Sequence, residues 1–201
     1  MVSGMRGFVQ ALALCLSAVP AMASGEGDAA TPAAEARQSP AEIRADSLDR
    51  LFAGLHRDGG QRDPQRIERD IWELWMASDS PTAEVLLRQA AKAIDDGAPE
   101  EALNLLNLLT RTYPDFAEAW NRRATLYFLM KRYDDSLADI DRVLELEPRH
   151  FGALAGRGLI YQRLKNYSAA AEAYREALSM NPALEGPRDA LREIERLERG
   201  I

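Results

Sequence analysis

The sequence predicts an all-α protein, an α-solenoid of stacked antiparallel helix pairs, and three observations carry that prediction. Prolines stand 34 residues apart at Pro114, Pro148 and Pro182. The same step joins small residues to small ones, as in Ala90, Ala124 and Gly158 or in Ala102, Ser136 and Ala170. It also joins large ones, as in Leu86, Trp120 and Leu154 or in Leu106, Ile140 and Tyr174. With 10 prolines in 201 residues, two more at preset positions arise by chance in roughly one case in 400. A period of this length marks a repeat array, in which one helical pair cannot bury its apolar face alone and stacking supplies the core.

In chain order, residues 1–23 read as a cleavable secretory signal peptide. Arg6 is a lone positive charge, Phe8 to Val19 is largely apolar, and Ala21-Met22-Ala23 has small residues at the spacing signal peptidase reads. The apolar run falls well short of the ~20 residues a spanning helix needs. Cys15 lies within that run behind Leu14, where a lipidation site wants a small residue, so a lipoprotein is not expected. A cut after Ala23 removes the single cysteine and with it any disulfide or thiol chemistry. It also removes Arg6, which lowers the formal charge of −7 by one, to −8. An acidic chain without a basic stripe argues against nucleic acid and against anionic membrane surfaces. The Ala-, Arg- and Glu-rich composition points to a bacterial source, so the expected compartment is the periplasm, with no membrane insertion after cleavage.

Residues 24–41, rich in Ala, Gly, Pro and Glu, read as a disordered linker. An N-terminal helical hairpin follows at 42–80. Its first helix carries Leu48, Leu51, Phe52 and Leu55 on one face, and Asp58-Gly59-Gly60 breaks it. Asp63-Pro64 starts the second, with Ile67, Ile71, Leu74 and Trp75 in a stripe and Trp72 slightly off it. This hairpin is expected to be a degenerate repeat that caps the open N-terminal face of the stack. Ser80-Pro81 opens the first of three full units, at 81–115, 116–149 and 150–183. In the second unit the helices are predicted over about 119–130 and 134–145. Small residues sit where helix backbones must approach closely, and the proline follows the second helix, which it cannot continue. Residues 184–201 form a C-terminal cap, with a helix over 187–199 that places Leu191, Ile194 and Leu197 in a stripe.

Over residues 82–183 the chain resembles the tetratricopeptide repeat family. The third unit carries the family's residue types at Leu154, Gly158, Tyr161, Tyr167, Ala170, Tyr174, Ala177 and Pro182, and the second at Trp120, Ala124, Tyr127, Tyr133, Ser136 and Pro148. The first unit departs from the pattern, with Ala93 where a tyrosine is common and Pro99 in the tight turn. The resemblance implies a right-handed superhelix that binds protein or peptide partners along a concave groove lined by first helices. Carried over by position, that groove is Leu87, Ala91 and Asp95 from unit one, Asn121, Thr125, Phe128 and Leu129 from unit two, and Ala155, Leu159, Gln162 and Arg163 from unit three. Family members that grip acidic chaperone tails use a lysine/asparagine/arginine clamp; Leu87, Ala91, Gly152 and Gly156 stand at those positions here, so that specificity is not expected.

Trp120, Tyr127, Tyr161 and Tyr174 read as packing residues, and Arg123 and Arg157 as structural ion-pair formers. Both arginines directly precede a helix-packing small residue, where the resembled subfamily also carries arginine. A buried arginine needs a partner, and Asp139 and Asp141 on the facing helix are candidates. His56 and His150 have no metal-ligand constellation around them and read as solvent-facing loop residues. The paired carboxylates Asp95-Asp96 and Asp134-Asp135 fall at inter-helix turns, where the second pair favours a helix N-terminus. No metal, cofactor or catalytic grouping is expected. The leading expectation is an exported, non-enzymatic adaptor for protein–protein interaction. The alternatives are a self-associating structural protein with Trp72 and Trp75 as a homodimer seam, and a noncatalytic accessory subunit of an envelope enzyme or secretion complex.

Overall fold

A computed structural model of the chain describes residues 39–56 and 63–200. The expected signal peptide, most of the linker and the Asp58-Gly59-Gly60 break lie outside the described residues. Among the described residues there are nine helices and no strands, so the fold is all-α. Helices α1 (Pro40–Leu55) and α2 (Pro64–Met76) form the hairpin; α3 (Pro81–Asp95) pairs with α4 (Pro99–Thr112), α5 (Ala117–Leu129) with α6 (Tyr133–Leu146), and α7 (Phe151–Arg163) with α8 (Tyr167–Met180). Helix α9 (Glu185–Glu198) packs on α8.

Local chemistry places the helix starts. Ser39 accepts from the Glu42 N–H while the Glu42 carboxylate accepts from the Ser39 N–H, so α1 opens at Pro40, inside the stretch read as linker. Asp63 caps α2 through the Gln65 N–H, and Ser80 caps α3 through the Ala83 N–H. Pro99 was expected in the tight turn; it occupies the first turn of α4, where a missing N–H costs nothing.

The 34-residue period is written into the backbone as well. Gly97, Lys131 and Lys165 adopt positive φ of 73°, 60° and 62° at the turn within each pair. The next residue then donates back to the last helical turn, from Ala98 to Ala93, Arg132 to Tyr127 and Asn166 to Tyr161. The residues before the prolines, Glu147 and Asn181, are extended, as a following proline requires. Left-handed geometry costs a residue with a Cβ ~1–2 kcal/mol, and glycine's own entropic penalty offsets part of that gain. Lys165→Gly should therefore raise stability by up to about 1 kcal/mol in a denaturant titration; a lowered midpoint refutes this.

Small residues do what close approach demands. A Cβ at Gly158 would lie 2.6 Å from the ring of buried Tyr174. The Ser136 hydroxyl donates to the Ala124 carbonyl at 2.7 Å, across the α5–α6 contact. One cluster joins Leu87, Ala90, Leu106, Leu109, Ala119 and Leu126 of α3, α4 and α5, and a second joins Ala124, Ile140, Val143, Ala153 and Ile160 of α5, α6 and α7.

The hairpin sits elsewhere than expected. Leu48, Phe52, Ile67, Ile71 and Trp75 share their cluster with Phe151 at the start of α7, and with Met180 and Leu184 around the α8–α9 link. It therefore seats on the second and third units rather than stacking on unit one as a degenerate repeat. Its stripe is apolar but non-directional, and the aromatic seat offered by Phe151 and His150 takes it. Trp72 and Trp75 are turned into this seat, which removes them as an exposed dimer seam.

Candidate protein-binding groove

Helices α5 and α7 run beside each other and open a cleft between them. Its volume is about 100 Å³, and Asn121, Thr125, Phe128, Gly156 and Leu159 line it with Ile140 at its side. Toward the N-terminal ends of these helices the cleft continues into a wider hollow of about 470 Å³. Trp72 and Met76 of α2 form one wall of that hollow, and Asn121, Arg122, Thr125 and Gly152 the other.

Four residues assigned to the groove from the sequence meet here: Asn121, Thr125, Phe128 and Leu159. Thr125 is exposed, and Phe128 is half-buried with its ring 5.8 Å from that of Tyr133. Leu129, at 58% exposed, and exposed Arg163 and Asp95 are not among the lining residues. The Gln162 side chain is engaged, accepting from the Tyr174 hydroxyl at 2.8 Å, and burial pushes the Tyr174 pKa up to about 12. Leu87 corrects the positional carry-over: at 2% exposed it is closed inside the α3–α5 core, because α5 packs over it.

The side-chain electrostatics are concentrated in two buried groups. Arg123 donates from Nε and Nη2 to both carboxylate oxygens of Asp139 at 2.8 Å each, and from Nη1 to Asn107 and Thr110 at 2.9 and 2.7 Å. Its guanidinium also lies over the Trp120 ring, 4.8 Å from the centroid. Burial disfavours its charge, and the Asp139 pairing more than offsets that, so its pKa lies above the ordinary guanidinium value. Arg157 pairs instead with Glu176 on α8, and Asp141 is exposed.

The second group was not legible as such. Glu118 and His150 are both fully buried, with His150 Nε2 3.4 Å from Glu118. Glu118 also accepts from Asn121 and from Arg122 Nε, each at 2.8 Å. His150 caps α7 by accepting the Ala153 N–H at Nδ1, and Trp75 stacks on its ring at 4.0 Å. His150 is thus not the solvent-facing residue expected, whereas His56 is exposed, just past the last turn of α1. His56 places one ring nitrogen 2.9 Å from the Phe52 carbonyl oxygen and the other 2.8 Å from that of Ser179. The Phe52 carbonyl, then that of Ser179, favour the charged ring and raise its pKa above 6.5. A raised folded pKa gives stability that is whole below the unfolded value and fades as pH rises through the folded one. Hydrogen exchange of α1–α2 should accordingly show stronger protection at acidic pH, after correction for intrinsic rates. His56→Asn should flatten that dependence, and an unchanged slope would refute the assignment.

Residues 117–150 and 152–184, which cover α5–α8, match the pattern of the family described as Tetratricopeptide repeat. A TPR repeat-containing protein of Rhizobium etli is 41% identical over 139 residues, covering 68% of this chain and 67% of that one. The chain belongs to the tetratricopeptide repeat family. The family pattern is not matched over α3 and α4, where Ala93 and Pro99 depart from it. A bovine SGT1 homologue is 34% identical over 98 residues, 49% of this tetratricopeptide repeat protein and 29% of the relative. The chain thus spans two thirds of the Rhizobium protein and under a third of the SGT1 homologue. Among solved structures, the first TPR of Spaghetti (RPAP3) bound to an HSP90 peptide superposes with a TM-score of 0.57 at 23% identity, over 60% of this chain and 96% of that one. MamA gives 0.55 at 18%, over 81% and 86%. These two likenesses concern the fold.

Proposed function

We propose that this tetratricopeptide repeat protein is a non-enzymatic scaffold that holds a segment of another protein in the groove between α5 and α7. Proteins of this family serve in general as interaction modules. The observation that carries the reading is the open cleft in which Phe128, Ile140 and Leu159 present apolar surface beside the polar Asn121 and Thr125. Such a lining suits a helix or extended peptide with apolar anchors and a few fixed hydrogen bonds. The working compartment is proposed to be the periplasm, on the charge, apolar run and Ala21-Met22-Ala23 spacing of residues 1–23.

A photoreactive residue at Thr125, used in cells of the source, tests the groove. Capture of a discrete protein that is lost on Leu159→Arg supports it. Capture that survives Leu159→Arg, or none from Thr125 while an outer position such as Glu172 gives a product, overturns it. For the compartment, the purified native chain should begin at Ser24 by mass spectrometry; a chain beginning at Met1 overturns export by cleavage.

A further inference from the structure

Helix α2 lies across the N-terminal ends of α5 and α7, against the same face that offers the groove. Trp72 reaches within 2.6 Å of where a Cβ at Gly152 would stand, so that contact exists only because residue 152 has no side chain. Trp75 stacks on His150 at 4.0 Å, and both indoles meet the Phe151 ring, with centroids 5.6 and 4.9 Å away. The outer edge of the hairpin is tied by polar contacts from Asp49 to Arg149, Glu68 to Asn181 and His56 to Ser179.

The two sides of this contact are unequal in their polar chemistry. On the array side the buried charge is satisfied from within: Glu118 holds Asn121, Arg122 and His150, and His150 holds Ala153, all on or next to α5 and α7. Lifting α2 breaks none of those bonds. On the hairpin side the Trp75 Nε1–H is buried with no hydrogen-bond partner among the described residues, and release gives it water. Arg122, 35% exposed, lines the same hollow. A helix whose removal leaves the buried Glu118–His150 group fully bonded, and gives its own indole donor access to water, is suited to exchange.

We infer that the face of α5 and α7 beneath α2 is a helix-binding surface held in a self-occupied state. The partner it fits is an amphipathic helix presenting two aromatic side chains three residues apart, which exchanges with α2. The chain's own helix states the required chemistry: an aliphatic stripe at Ile67 and Ile71, then an aromatic pair at Trp72 and Trp75 that brackets Gly152 and His150. This rests on reading the groove as the partner face, and it adds that a ligand competes with α2 rather than entering an empty site.

Two measurements on the full chain test it. Hydrogen exchange should show α1–α2 opening at least about ten-fold more readily than α5–α8. Gly152→Ala should then speed α1–α2 further while leaving α5–α8 unchanged. Equal protection of the two regions, or equal acceleration of both, makes the hairpin an integral part of one cooperative unit and overturns the exchange. In the second measurement, a labelled peptide of residues 63–77 is titrated into the wild type and into Trp72→Ala/Trp75→Ala, whose α5–α8 protection verifies its fold. The peptide should saturate the variant and bind the wild type at least about ten-fold more weakly, since the wild-type surface is already filled. Equal binding to both, or binding to neither, overturns the proposal. Capture from Thr125 combined with equal peptide binding would sink the exchange and leave the groove reading standing.

Discussion

Arg123→Ala is expected to lower the melting temperature by roughly 10 °C. Arg123 is 15% exposed and Asp139 5%, and the pair is joined by two parallel 2.8 Å bonds. Truncation leaves the Asp139 carboxylate buried without its counter-charge, and strips Asn107 and Thr110 of a donor they share. Breaking such a pair from one side costs ~3–5 kcal/mol, and the partial exposure of Arg123 favours the lower figure. At ~2–4 °C per kcal/mol for a chain of this size, that gives the shift stated. Arg123→Lys should recover only part of the loss, because an ammonium cannot reach both carboxylate oxygens, the Asn107 amide oxygen and the Thr110 hydroxyl at once. Asp139→Asn in the Arg123→Ala background should recover part by removing the stranded charge. A melting temperature within a degree of wild type for Arg123→Ala would show that the pair contributes nothing net.

Phe151→Ala is expected to cost ~3 kcal/mol or more, and its effect should be uneven along the chain. Phe151 is 1% exposed, and its ring stands among Phe52, Trp72 and Trp75. Among the described residues it is the one array member of the hairpin's cluster that is fully buried, Met180 and Leu184 being only partly so, and the cavity opens at the seat rather than within α3–α6. If the hairpin docks with less free energy than the lost packing, it releases and the remaining helices lose little more. Tryptophan emission should shift at low denaturant, before the cooperative loss of helix content. Coincident transitions with a midpoint like that of the wild type would contradict the placement of Phe151 as the hairpin's anchor.

The three units were legible because each is specified within its own 34 residues. Gly158 against Tyr174, Ser136 against Ala124, and the proline-bounded ends are local relations that recur, and recurrence is visible without a structure. Asp139 was legible, together with Asp141, as a candidate partner for Arg123 because a buried arginine needs a carboxylate on the helix it faces. The hairpin's place was not legible. Ile67, Ile71 and Trp75 show which side of α2 is buried, yet apolar burial carries no address. His150 was misjudged for the same reason: a histidine after Pro148 looks like a loop residue until Trp75, distant in the sequence, is laid over it. Leu87 was misplaced because the position it occupies lines a groove only where the next helix leaves it open. Arg122 and Glu118 passed unnoticed because an i, i+4 pair on a helix is ordinarily solvated, and here the hairpin covers one end of it.

Repeat arrays are ordinarily built so that each unit touches only its neighbours, and units can be added or lost with little penalty. The contacts from Asp49 to Arg149, Glu68 to Asn181 and His56 to Ser179 join residues 100, 113 and 123 positions apart. They act as a gauge laid along the array, set at the start of α7 and at the α8–α9 link. A unit inserted between α6 and α7 would carry Phe151, His150 and Asn181 one repeat away from helix α2 together, and the gauge would no longer read. The number of repeats between the hairpin and α7 is thereby fixed by the hairpin, and a family whose architecture permits open-ended growth has here been given a measured interval.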